Sequence, residues 1–200
     1  MNIGIDLDGV VFDSEKEYRV YAELYDVMDL KQNNMVNNKE LRCQRRYKWT
    51  EEQLNNFFKK YNQKVLENSN FMPGAKNILR LLKEEGHNLI VITARGGISQ
   101  DEIEVTQKVL KQNELDIFDK YYFTAKNKDE VCVKEKIDVM VDDSYKICKA
   151  VADANIKTIY LKDAPSYDLE ENDCIKVLYN WGEIYRYIKE MESVTKNKNL

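Results

Sequence analysis

The sequence predicts an α/β fold, a doubly wound parallel sheet with a helical subdomain inserted after the first strand. Three observations predict it. Short apolar runs recur at residues 3–5, 89–92, 121–123, 139–141, 158–161 and 175–178. Most are separated by segments of helical periodicity, the pattern of a parallel sheet covered on both faces. That alternation stops between about residue 14 and residue 72, where only helical patterns occur, such as 18–28 and 51–66. A crossover between parallel strands needs only about a dozen residues, so the excess reads as an insertion.

The boundaries follow from local signals. Ser99-Gln100-Asp101-Glu102 reads as a capping box, and Asn127 with Glu130 and Asn180 with Glu183 as its asparagine variants. Pro73-Gly74 breaks the chain before a helix over 75–85, which Gly86 stops. These signals divide the chain into a core of 1–14 and 73–193, a helical cap of 15–72 and a frayed polar tail of 194–200.

Two hundred residues suit one α/β domain carrying an insertion, and 43% hydrophobic residues suffice for its core. A net charge of −4 gives no electrostatic case for a nucleic acid polymer or an anionic membrane. Cys43, Cys132, Cys148 and Cys174 form no CxxC pair and His87 is the one histidine, which argues against structural zinc and for buried, reduced thiols. His87, between a helix-stopping glycine and a strand, reads as a surface-turn residue. The opening residues lack a basic, apolar leader and no run is long enough to span a bilayer, so a cytoplasmic protein is expected.

The chemistry is concentrated at strand ends. Asp6 and Asp8 close the first strand on one side of the chain, roughly 6–7 Å apart along an extended backbone. Open α/β sheets bind ligands at that end. Thr93-Ala94-Arg95-Gly96-Gly97 closes the second run, Asp142-Asp143-Ser144 closes a later one, and Lys128 begins the helix before it. Four acids around one site cannot all stay ionised without a positive partner. Mg²⁺, bound through one or two carboxylates with substrate phosphate completing its shell, resolves the conflict together with Lys128. A phosphate would sit between them, held by the Thr93 hydroxyl and backbone N–H groups near Gly9.

Several alternatives are excluded. No cysteine has an arginine six positions later, so a cysteine-based phosphatase loop is absent. Gly4 and Gly9 have Walker A spacing, but Val10-Val11 follows where Lys-Ser/Thr is required. No GxSxG elbow occurs. The nucleophile left with a credible setting is an aspartate, a known carrier of phosphoryl groups.

Asp6-Leu7-Asp8-Gly9-Val10, Thr93, Lys128 and Asp142-Asp143, in that order, resemble the four motifs of the haloacid dehalogenase (HAD) superfamily of phosphatases. The helical insertion is similar to that family's type 1 cap, and the chain looks like its 5′(3′)-deoxyribonucleotidase branch. The motifs cover roughly residues 2–14, 88–97 and 124–145. The resemblance implies that Asp6 attacks phosphorus and also binds Mg²⁺. Asp8 would be the general acid and base, its carbonyl ligating the metal. Asp143 would be a direct ligand, and Asp142 would act through water or orient the shell. The phosphate set it implies is Thr93, Ala94, Lys128 and Gly9. Lys126 and Lys134 compete for the lysine role, and Lys128 is preferred because the first turn of its helix faces the strand ends.

The activity implied is Mg²⁺-dependent hydrolysis of a small phosphate ester, a nucleoside 5′-monophosphate first, by a monomer or homodimer. A sugar-phosphate or phosphoglycolate-type phosphatase and a phosphotransferase or phosphomutase are the alternatives, with a non-catalytic HAD-like module behind them. One departure bears on the nucleotide: Ala94-Arg95 follows Thr93 where the deoxyribonucleotidase branch carries a second small hydroxyl. Arg95 either binds substrate or braces its loop by pairing with the cap. Arg45 and Arg46, beside Tyr47 and Trp49, could read a base and a phosphate. The plainer reading, a cap helix with a wet face and buried aromatics, is preferred for them.

Overall fold

The computed structural model describes residues 1–40, 42–98, 101–162 and 171–198. Six strands, β1 (Asn2–Ile5), β2 (Asn88–Ile92), β3 (Lys120–Tyr122), β4 (Val139–Asp142), β5 (Lys157–Leu161) and β6 (Ile175–Leu178), form one parallel sheet. Their spatial order is β3-β2-β1-β4-β5-β6.

Alternation along the strands sets the layers. Ile3 and Ile5 lie in register with Leu89 and Val91 on one side and with Val139 and Val141 on the other. These residues meet Leu79 and Leu82 of α4 (Ala75–Glu84), Val105 and Val109 of α5 (Asp101–Gln112), and Trp181, Ile184 and Ile188 of α8 (Trp181–Lys198). The opposite face, Ile90, Ile92 and Met140, meets Cys132 of α6 (Lys128–Lys134) and Val151 of α7 (Tyr145–Asp153). Each fully buried branched side chain contributes about 1.5–3 kcal/mol. Gly4 belongs to this second face, where a Cβ would lie 2.7 Å from Met140 Sδ.

Between β1 and β2 run α1 (Ser14–Leu24), a π-helical turn (Tyr25–Asp29), α2 (Cys43–Arg46) and α3 (Glu51–Asn68). They share a separate core of Ala22, Tyr25, Cys43, Tyr47, Phe57 and Tyr61. Tyr18 and Tyr21 of α1, partly buried, pack against that core. Thr50 starts α3 with a reciprocal cap: its hydroxyl accepts from Gln53 N at 3.2 Å, and Gln53 Oε1 accepts from Thr50 N at 2.9 Å. The chain leaves and re-enters the sheet side by side. Asp13 N donates to Asn70 O and Met72 N to Val11 O, both at 2.8 Å, and the Phe12 and Phe71 rings lie 4.8 Å apart.

Some local expectations change. α8 continues to Lys198, through most of the stretch expected to fray; residues 199 and 200 lie outside the described residues. Ser99 and Gln100 of the expected capping box do so as well. The Asn127 side chain donates to Glu130 Oε1 at 2.9 Å instead of capping the backbone, whereas Asn180 does accept from Glu183 N at 3.0 Å. His87 is not a surface residue: it is 2% exposed, because α8 lies across the turn and brings Glu192 Oε1 to 3.4 Å from Nε2. Among the described residues no helix is long and apolar enough to cross a membrane.

Candidate active site

Strand order reverses between β1 and β4, the point outside whose carboxyl ends open α/β sheets bind ligands. Asp6, the residue after β1, is tied to β4 by its amide, which donates to Val141 O at 3.0 Å. Asp142 ends β4 and Asp143 follows it. One carboxylate oxygen from each of Asp6, Asp142 and Asp143 lies within 4.8 Å of the others.

Lys128 supplies the positive charge. Its Nζ lies 2.9 Å from Asp6 Oδ1 and 2.7 Å from Asp142 Oδ2, and the residue is 4% exposed. Lys126 and Lys134 are both exposed, and Lys134 lies over the Tyr122 ring. Asp142 is fully buried and its second oxygen accepts from Ser144 N at 2.8 Å. Both of its oxygens are thus engaged.

One lysine does not neutralise three acids. Burial pushes the Asp6 carboxyl up to about 7, opposed by Lys128 and reinforced by the Asp142 and Asp8 charges. Asp143 keeps an exposed edge, yet partial desolvation beside the cluster lifts its carboxyl to about 8, with repulsion from Asp6 and Asp142 adding to it. Of the causes that raise the two carboxyls, burial is the larger and like charge the smaller.

Asp8 is arranged differently. Its side chain is not part of the three-carboxylate group. Arg95 grips it bidentately, Nε to Oδ2 at 2.9 Å and Nη2 to Oδ1 at 2.7 Å, and Ser14 Oγ donates to Oδ1 at 2.6 Å. Burial raises the Asp8 carboxyl, but the Arg95 charge and hydrogen bonds together with Ser14 bring it below its ordinary value. Arg95 therefore pairs with Asp8 and not with the cap.

Thr93 is 1% exposed. Its amide donates to Tyr122 O and its carbonyl accepts from Ala125 N, both at 2.9 Å, while Ala94 beside it is exposed. Gly9 does not offer its amide to a phosphate: that N–H donates to Phe12 O at 2.8 Å, inside a tight turn in which the Val10, Val11 and Phe12 amides point at Leu7 O. Gly9 matters for space instead. Its φ is +72°, and a Cβ there would fall 2.3 Å from Asp143 Oδ2.

Arg46 is engaged within the helical insertion, which corrects its candidacy as a recognition residue. It is 7% exposed, its Nη1 donates to Asn38 O at 2.6 Å and Glu40 O at 3.3 Å, and Glu23 lies 3.9 Å from Nη2. Arg45 is open to solvent, with Glu40 4.0 Å away. Tyr47 and Trp49 stack on each other at 4.3 Å, and Trp49 Nε1 donates to Asp26 at 2.7 Å.

Ser14, Thr106 and Glu102 were not singled out from the sequence as site residues. Thr106 Oγ1 accepts from Arg95 Nη1 at 3.1 Å. Glu102 Oε2 accepts from Gly96 N at 2.6 Å and Ile98 N at 3.1 Å. Ser14 had a signal, since it directly follows the Asp8 turn. Thr106 lies 11 residues from its partner on a helix, and nothing in the local pattern marks it.

No protein-family model matches the chain, and no curated protein matches it. Solved structures do. A haloacid dehalogenase-like hydrolase from Streptococcus pneumoniae superposes with a TM-score of 0.70 at 14% identity, over 94% of this chain and 97% of that one. A predicted phosphoglycolate phosphatase from Haemophilus somnus gives 0.63 at 19%, over 94% and 97%. A β-phosphoglucomutase from Clostridium difficile gives 0.63 at 16%, over 97% and 98%. The chain therefore has the HAD-like fold.

Proposed function

We propose that the chain is a Mg²⁺-dependent phosphomonoesterase that carries the phosphoryl group on Asp6, with residues 15–72 acting as a cap over the site. The observation that carries this reading is the meeting of Asp6, Asp142 and Asp143 around Lys128 at the switch point of the sheet. The donor set fits the metal. It is all oxygen, as a hard divalent cation requires, and the raised Asp6 and Asp143 carboxyls are groups that a nearby cation would lower. Asp6, Asp143 and the Asp8 carbonyl would hold the ion, while Asp142, its oxygens taken by Lys128 and Ser144, would orient the shell. When bound, the cation supplies Lewis-acid stabilisation of charge on the transferring oxygens.

The chain's own groups do the rest. An Asp6 oxygen attacks phosphorus, so that a bond to Asp6 forms as the ester P–O bond breaks. Asp8 gives a proton to the departing oxygen and recovers one from the water that hydrolyses the aspartyl phosphate. The Arg95 pair favours the anionic Asp8 that this second step needs and disfavours the protonated form that the first step uses. Lys128 and the Thr93 hydroxyl stabilise the phosphoryl oxygens, the electrostatic work that dominates such transfers.

A nucleoside 5′-monophosphate is the proposed substrate, with other sugar phosphates or phosphoglycolate-type esters as its competitors. Phosphate release from a panel of these esters, with and without Mg²⁺, tests the reading. Turnover that needs Mg²⁺ and vanishes in Asp6→Asn supports it; turnover that survives in Asp6→Asn overturns the nucleophile assignment. The likeness to a β-phosphoglucomutase favours transfer to a sugar hydroxyl as the second reading, and product analysis with an added sugar acceptor separates the two.

A further inference from the structure

The sequence allows Arg95 two roles, contact with substrate or bracing of its own loop. Its surroundings answer to neither alone. The side chain is 3% exposed, and each of its three nitrogens has a partner: Nε and Nη2 on Asp8, Nη1 on Thr106. The guanidinium also lies over the Phe12 ring, 4.5 Å from its centroid. A guanidinium so enclosed is not placed to greet an incoming phosphate.

Asp8 itself is the opposite case. Its side chain is 39% exposed, and three donors reach its two oxygens, two from Arg95 and one from Ser14. The fork fixes the plane of the carboxylate as well as its charge, which a lysine could not do. The arginine is held in turn. Its amide donates to Thr93 Oγ1 at 3.3 Å. The next amide, of Gly96, is anchored on Glu102. The other Glu102 oxygen accepts from Asn62 of α3 at 2.6 Å, and Asn62 Oδ1 accepts from the Tyr18 hydroxyl of α1 at 2.5 Å. Arg95 thus stands at one end of a hydrogen-bonded chain that ties the loop after β2 to two helices of the insertion.

We propose that Arg95 is the positioning residue for Asp8: the Thr106-braced guanidinium holds the Asp8 carboxylate in the orientation from which it exchanges protons with the substrate oxygen and with water. The inference rests on the phosphatase reading for its kinetic consequence, though not for its structural one. It also accounts for the arginine after Thr93-Ala94, which was a departure from the deoxyribonucleotidase pattern.

Two measurements on Arg95→Gln test it, with Thr106→Val as a milder variant that keeps the arginine and removes its brace. The first is crystallographic and needs no activity. Asp8 should rotate or move by about 1 Å, a displacement able to cost about 10²-fold in rate. An Asp8 that keeps its place in both variants overturns the proposal.

The second is a double-mutant cycle on phosphate release. Arg95→Gln alone should lower kcat by about 10²-fold, within the range of lost acid–base catalysis, with KM nearly unchanged. In an Asp8→Asn background the same change should cost less than about twofold, because a group acting through Asp8 has nothing left to act on. Arg95→Lys should recover only part of the loss. Equal losses in both backgrounds, or a loss confined to KM, overturn the proposal. Absence of turnover in the parent chain on every ester would count against the phosphatase reading, while the crystallographic comparison would still decide the positioning claim.

Discussion

Replacing Asp6 should stabilise the metal-free protein while abolishing turnover. Burial, with the nearby Asp142 and Asp8 charges, lifts the Asp6 carboxyl from 3.8 to about 7 against the pull of Lys128. An acid raised in this way holds its proton more tightly in the folded chain than in the unfolded one. Between the two values the unfolded state has released the proton and the folded state has kept it. Stability therefore falls as pH rises from roughly 4 to 7 and levels off above.

At about 1.4 kcal/mol per pH unit, the interval from 3.8 to about 7 corresponds to roughly 4 kcal/mol at neutral pH. Asp6→Asn carries no such burden. In a chain of this size about 1 kcal/mol moves Tm by 2–4 °C, so the metal-free variant should melt on the order of 10 °C above the metal-free parent at neutral pH. The two should converge near roughly pH 4. Excess Mg²⁺ should raise the parent by about 2.7 kcal/mol at a hundredfold excess over Kd and leave the variant where it was. Thermal melts in chelator and in Mg²⁺ across this pH range check both statements. A Tm difference between parent and variant that does not change with pH would refute the reasoning, as would an equal response of the two to Mg²⁺.

Four further variants have expected outcomes. Lys128→Ala removes the partner of two buried carboxylates and should destabilise the metal-free protein by about 3–5 kcal/mol in urea unfolding. Phosphate release should fall by about 10²–10³-fold. Gly9→Ala drives a methyl group towards Asp143 Oδ2 from a backbone with φ of +72°, so calorimetry should show Mg²⁺ affinity lost in a chain that still folds. Arg46→Ala frees the Asn38 and Glu40 carbonyls and should cost about 1–3 kcal/mol of stability with KM little altered. Arg45→Ala should stay within about 0.5 kcal/mol.

The sheet was legible because its strands are short runs rich in Ile, Val and Tyr bounded by polar turns, with the central β1, β2 and β4 largely buried on both faces. Residues 3–5, 89–92 and 139–141 lie in β1, β2 and β4. Which strand lies beside which is not written in such runs, and the order on either side of β1 came only from the structure. Asp6, Thr93, Lys128 and Asp142 could be placed near the carboxyl end of the sheet because strand ends and the first residue of a helix are positions that the pattern defines. What contacts Asp8 could not be found in the same way. Arg95 lies 87 residues from it, and a residue's partner across such a distance depends on packing that no local pattern encodes. His87 failed for a related reason: the turn looks exposed until α8, about a hundred residues later, covers it. Arg46 lies among exposed-looking neighbours, yet the loop carrying Asn38 and Glu40 folds back over its guanidinium.

The most direct test of the central claim is a crystal structure grown with Mg²⁺ and beryllofluoride, a mimic of a phosphoryl group on a carboxylate. Beryllium should be bonded to an Asp6 oxygen, with a cation held between Asp6 and Asp143 and with Lys128 and Thr93 on the fluorides. Beryllofluoride bound elsewhere, or a cation without Asp6 and Asp143 among its ligands, would contradict the claim.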